Sequence, residues 1–183
     1  MTAGPAALKV RAFGEFRRLL RRRTIVLALA GASLLALAPA APAQVTVGGP
    51  KPLATNPTNW PGVTIDLMSV ERKGSVLTVK WAVRNTGAKE ASVQFTMTGS
   101  KQTTYVVDEE SGTKYYALTD KEKNTLASEH VYTGDGFGIN DSVEPGATSR
   151  YWAKYPAPPP AVKTINIFFT NSDPFERVAI TDK

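Results

Sequence analysis

The sequence predicts an all-β fold, an antiparallel sandwich of about seven or eight short strands. Three observations predict it. Runs of apolar–polar alternation recur from Val63 to the end of the chain. Turn signals rich in Gly, Pro and Asn separate them about every 8–12 residues, as in sandwich domains. Nowhere does the apolar 3.6-residue period of a core helix run for several turns. Only Asp120 to Ser128 (DKEKNTLAS) fits a helical turn or two, and it is too poor in apolar residues to pack.

The elements follow in order. Val63, Ile65 and Leu67 alternate with Thr64, Asp66 and Met68, and Lys73-Gly74 marks a turn. Leu77, Val79, Trp81 and Val83 then alternate with Thr78, Lys80, Ala82 and Arg84, the clearest strand in the chain. Successive side chains point to opposite faces, so this strand buries one face and wets the other. Asn85-Thr86-Gly87 ends it, and Val93, Phe95 and Met97 mark the next strand. Tyr105 to Val107 and Tyr115 to Leu118 flank a polar hairpin tip, Asp108 to Lys114. Thr133 to Asp141 (TGDGFGIND) reads as a glycine-rich turn. A Pro145-Gly146 turn leads into a strand from Ser149 to Tyr155. The run Pro156 to Pro160 (PAPPP) lacks most backbone donors, which suits a connector or an edge. Ile165 to Thr170 is a buried strand and Phe175 to Ile180 a short final one. Gln44 to Gly62 has no sustained period and reads as a linker. The expected organisation is residues 1–43, a signal peptide; 44–62, a linker; and 63–183, the β-domain.

Charge supports that division. The chain has a formal net charge of +6, yet seven of the 22 basic and one of the 16 acidic side chains lie in residues 1–43, leaving fifteen of each beyond. The basicity therefore belongs to the leader, and no electrostatic footprint for nucleic acid remains. Arg17 to Arg23, the apolar run Ile25 to Ala38, and Ala41-Pro42-Ala43 have the order of a secretory signal cleaved before Gln44. The apolar run is 14 residues long, short of the roughly 20 needed to span a bilayer. Arg22-Arg23 resembles a twin-arginine signal, and an ordinary export signal with an upstream start is the competing explanation. The expectation is an exported protein, periplasmic or secreted, touching membrane only through the signal segment before cleavage. With no cysteine, the domain depends on its apolar core, which about 140 residues can supply.

The outline formed by Leu77 to Gly87 (LTVKWAVRNTG), Gly112-Thr113-Lys114-Tyr115 with Asp120, Val143-Glu144-Pro145-Gly146 and Ile165 to Phe169 resembles bacterial exported immunoglobulin-like domains of unknown function. These occur in extracytoplasmic lipoproteins, in small secreted mycobacterial antigens and beside OmpA-like domains. The resemblance implies an immunoglobulin-like sandwich over residues 63–180 and brings no catalytic residues. Of the immunoglobulin Cys…Trp…Cys pattern, Trp81 is the sole counterpart.

Candidate chemistry is sparse. His130 is the lone histidine, and no Gly-x-Ser-x-Gly elbow offers a nucleophile to pair with it. One histidine without cysteine is too few for zinc. Asp135, Asn140 and Asp141 offer hard oxygen ligands but not the Asp-x-Asp-x-Asp-Gly spacing that wraps calcium. Asp108, Glu109 and Glu110, with Asp120 or Glu122, are the candidate carboxylate pairs of a glycosidase, but they lie at a hairpin tip. Trp60, Tyr132, Tyr151, Trp152 and Tyr155 are candidates for a sugar-stacking platform. Tyr151, Ala153 and Tyr155 share one face of their strand, which places Trp152 and Lys154 on the other. An outward Trp marks an interface. The expectation is a non-catalytic interaction module with Trp152 and Lys154 on its surface, no cofactor, and an envelope protein or glycan as partner. A calcium- or glycan-binding protein is the alternative, and an envelope hydrolase the third reading.

Overall fold

A computed structural model describes residues 49–99, 102–128, 131–132 and 136–183, the pair 131–132 by its backbone alone. The expected signal segment lies outside these residues, as do His130 and Asp135. The described residues form twelve strands and no helix: β1 (Ala54–Pro57), β2 (Val63–Lys73), β3 (Val76–Asn85), β4 (Ala91–Thr96), β5 (Tyr105–Asp108), β6 (Thr113–Tyr115), β7 (Val131–Tyr132), β8 (Phe137–Val143), β9 (Thr148–Pro156), β10 (Thr164–Phe168), β11 (Phe175–Ala179) and β12 (Thr181–Asp182). They make a five-stranded sheet in the order β1-β2-β3-β9, a four-stranded sheet β11-β10-β5-β6 and a three-stranded sheet β4-β8-β7. The fifth strand of the largest sheet is β12, which pairs parallel with β2 at Glu71 and Arg72. Every other ladder is antiparallel. The three- and four-stranded sheets meet where the Thr103 and Thr104 amides both donate to the Thr96 carbonyl at 3.0 Å.

The period-2 faces become one core. On β3, Leu77, Val79, Trp81 and Val83 are all buried, and on β4 so are Val93 and Phe95. Trp81 sits where the sheets converge, its ring 5.6 Å from Phe95, 4.8 Å from Phe169 and 5.8 Å from Tyr151. On β2 the register shifts between Leu67 and Ser69. The inserted residue resets the parity, so that Val70 joins Val63, Ile65 and Leu67 in the core while Ser69 stays opposite Lys80.

The two turn motifs that carry the resemblance are bonded to each other. The side chain of Asn85, fully buried, donates to the carbonyls of Lys89 (2.7 Å) and Val143 (2.8 Å) and accepts the Gly87 amide (2.9 Å). Its backbone donates to Ala147 O and accepts from Gly146. The Asn-x-Gly turn after β3 thus holds the Pro-Gly turn before β9.

A second buried polar group organises the proline run. Arg72 is 5% exposed. It donates to both carboxylate oxygens of Asp182 (2.6 and 3.0 Å) and to the carbonyls of Pro158, Pro159, Pro160 and Val162. A proline-rich segment offers acceptors without donors, and a guanidinium offers five donors and no acceptor. The connector and the chain's last strand are fixed by that complementarity.

Several expectations are corrected. The domain begins before Val63: four residues of the stretch read as linker form β1, from Ala54↔Leu67 to Pro57↔Thr64. Its side chains are mostly exposed, so backbone pairing rather than apolar alternation defines it. The stretch read as a glycine-rich turn contains the start of β8, paired with β4 from Thr96↔Gly138 to Ala91↔Val143. Gly138 is there for close approach: a Cβ on it would lie 1.9 Å from the Phe95 carbonyl oxygen. Asp120 to Ser128 is not helical. Asp120 accepts the amides of Glu122 and Asn124 in a tight turn, and the chain then runs along β9.

Candidate functional site

Trp152 and Lys154 are presented by β9. The strand alternates as its sequence requires, with Tyr151, Ala153 and Tyr155 buried in the core and Trp152 outward, 38% exposed. The Lys154 ammonium lies 5.7 Å from the centroid of the Trp152 ring, a cation–π distance. Pairing with β3 adds neighbours that local sequence does not reveal: Lys80 stands opposite Trp152, and Arg150 opposite Ala82. Arg150, Lys154 and Lys80 thus surround the indole on the outward face of the five-stranded sheet. Lys80 also reaches Glu71 at 3.8 Å. The acids of this face are engaged, Asp66 by Arg84 at 2.9 Å and Glu71 by Lys183 at 2.9 Å. Hydrogen bonds to Lys183 first, and its charge with that of Lys80, hold the Glu71 carboxyl below its ordinary value.

The outer edge of β9 is occupied as well. The Ser128 amide donates to Trp152 O, the Trp152 amide to Ser128 Oγ, the Lys154 amide to Leu126 O, and the Leu118 amide to Lys154 O. The strip Leu118–Ser128 therefore takes up the backbone groups beside Trp152, leaving side chains to present the face.

The other candidates are not brought together. Asp108 is buried, accepting the Glu110 amide (3.1 Å) and the Ser111 hydroxyl (2.6 Å), and so organises the hairpin tip. Asp120 holds its own turn. Glu109 and Glu110 border a shallow cleft of about 390 Å³ that also carries Lys163 and Arg177. Asn140 and Asp141 are successive on β8 and point to opposite faces. Asp141 accepts the Tyr151 hydroxyl at 2.6 Å. Burial, and then the Asp141 carboxylate, raise the Tyr151 phenol above its ordinary value, and burial alone does so for Tyr155. Both phenols remain protonated, but only Tyr151 donates, since the Tyr155 hydroxyl has no hydrogen-bond partner among the described residues. Among the described residues no three His, Cys, Asp or Glu converge as a metal would need.

The stacking platform is dispersed too. Tyr151 and Tyr155 are core residues, and Trp60 is half-buried edge-on against Phe95 at 5.8 Å. The Tyr132 side chain lies outside the described residues. A second aromatic row has almost no signature in the sequence. Phe168 stacks on Tyr105 at 4.8 Å, Tyr116 stands 6.0 Å beyond, and the Lys114 ammonium lies 4.8 Å from the Tyr105 centroid. Its only local signal is the pair of tyrosines bracketing the β5–β6 hairpin. Phe168 stacks on the Tyr105 ring, and Tyr116 at the end of the row is exposed.

No family model matches the chain, and no curated protein or solved structure is significantly similar to it.

Proposed function

We propose that this is an exported, non-catalytic, immunoglobulin-like β-domain that recognises a partner in the cell envelope through the surface around Trp152 and Lys154. The observation that carries the proposal is the placement of Trp152. A large aromatic ring stands outward from a rigid core strand, bracketed by cations, while its strand neighbours are buried. An outward indole offers an amphipathic surface for a partner to cover, and tryptophan is over-represented among residues that dominate binding energy. The occupied state of the carboxylates supports the non-catalytic part: Asp108, Asp120 and Asp141 each hold a hydrogen bond that shapes the fold. The order of the leader, arginines then an apolar run then Ala41-Pro42-Ala43, supports export.

The test pairs thermal denaturation with capture from an envelope extract. Trp152→Ala should leave the unfolding temperature nearly unchanged and weaken capture by about 2 kcal/mol or more, the hot-spot range. Unfolding of the variant, or undiminished capture, would overturn the proposal.

A further inference from the structure

The outward face that carries Trp152 has a composition and a charge balance that select a kind of partner. We infer that Trp152, Lys80, Arg150 and Lys154 form a docking face for an anionic phospholipid surface, bringing the body of the domain onto the membrane after the leader has delivered it. This deepens the recognition role proposed above and rests on it. It also extends membrane contact beyond the signal segment.

Three observations point to this partner. The first is shape. The strip Leu118–Ser128 occupies the hydrogen-bonding edge of β9, so a peptide cannot add there as a further strand, the usual route to a sheet. What remains for a partner is the side-chain face. The second is composition. An amphipathic indole settles at the level of lipid headgroups, and lysine and arginine are drawn to anionic headgroups. Here one indole and three cations share adjacent positions of one ladder, Trp152 opposite Lys80 with Arg150 and Lys154 two residues to either side.

The third is charge balance. Beyond residue 43 the chain carries equal numbers of basic and acidic side chains, so attraction to an anionic surface must come from a local excess. On this face Asp66 and Glu71 are already matched by Arg84 and Lys183, whereas Arg150 and Lys154 make no ion pair among the described residues.

The test uses the full chain with vesicles of phosphatidylcholine alone or with phosphatidylglycerol, and compares variants that share the same leader, so that its own affinity cancels. With brominated lipid, the difference in tryptophan quenching between the wild type and Trp152→Phe reports the contact, since Trp60 and Trp81 are common to both. Quenching of Trp152 is expected in the phosphatidylglycerol vesicles, falling as salt rises. Arg150→Gln with Lys154→Gln should weaken vesicle binding roughly fivefold for each charge removed, with unfolding temperature unchanged. Equal quenching in wild type and Trp152→Phe, or indifference to phosphatidylglycerol, overturns the membrane inference. If these same variants instead lose binding to immobilised polygalacturonate, an acidic glycan probe, the recognition face stands and the membrane is the wrong partner. If they change neither vesicle, glycan nor envelope capture, the recognition reading falls with it.

Discussion

Replacing Asn85 by alanine should be among the most damaging single changes in this domain, although the residue lies at a turn and far from Trp152. Its amide group is completely buried and makes three hydrogen bonds, to Lys89 O, Val143 O and the Gly87 amide. Truncation strands all three partners. The Val143 carbonyl is within the body, and a buried group left unpaired costs about 1–3 kcal/mol. The Lys89 and Gly87 groups are part-buried and regain some water, so each forfeits about 0.5–1.5 kcal/mol. The expected loss is about 3–4 kcal/mol, a large share of a typical domain's stability. Denaturant titration measures it, as a fall in midpoint with an unchanged slope. Asn85→Asp sharpens the test. It keeps the shape and the acceptor for Gly87 but turns a carboxylate oxygen toward two carbonyls, so at neutral pH it should lose at least as much as alanine. A loss under about 1 kcal/mol for alanine, or an aspartate variant as stable as the wild type, would refute the idea that this side chain ties the two turns together.

Three further outcomes are expected. Trp81→Ala should cost about 3–5 kcal/mol, the range for emptying a buried aromatic site, whereas Trp81→Phe should cost much less, because the indole N–H has no partner to lose among the described residues; both are read by denaturant titration. Gly138→Ala should cost about 3 kcal/mol in the same assay, near the top of the overpacking range, since its Cβ would press on the backbone of β4. The carboxyl of Asp182 is held below its ordinary value by the hydrogen bonds from Arg72 and then by that residue's charge. A depressed carboxylate contributes stability that is present above its unfolded value, near 4, and is lost as pH falls through the lower folded value. The Arg72 Nε–H resonance should therefore stay in its hydrogen-bonded position at pH 5 and move only below about pH 4, and in Asp182→Asn that acid transition should vanish.

What could be read from the sequence depended on whether a strand had one buried face. β3, β4 and β9 each set apolar side chains against the core and polar ones toward water, so period two announced them and placed Trp152 outward. β1 and β12 are mostly exposed on both faces. Backbone pairing to β2 fixes them, and pairing leaves no trace in composition. β8 was hidden for a different reason. Two of its seven residues are buried side by side, Gly138 and Ile139, and glycine at a close approach looks the same in sequence as glycine at a turn. The side chains around Trp152 divide the same way. Lys154 was legible because it is two residues away on the same strand, but Lys80 joins it through the β3–β9 register, which only the folded sheets define.

Arg72 and the proline run show how far such pairing can reach. Read locally, each is a liability: an arginine on the inward face near the end of a well-patterned strand, and five residues with too few amides to join a sheet. The guanidinium bonds carbonyls 86 to 90 residues away and a carboxylate 110 residues away. Either half alone would bury an unsatisfied group, and together they cancel. Arg72→Lys should therefore not be conservative, since one ammonium has three donors where the site uses six contacts. The same argument bears on the recognition face. Asp182 is held beside β2 by Arg72, which sets Lys183 against Glu71, and that pairing engages the acid beside Lys80. A buried arginine on one side of β2 thereby helps to leave the outward cations around Trp152 in excess.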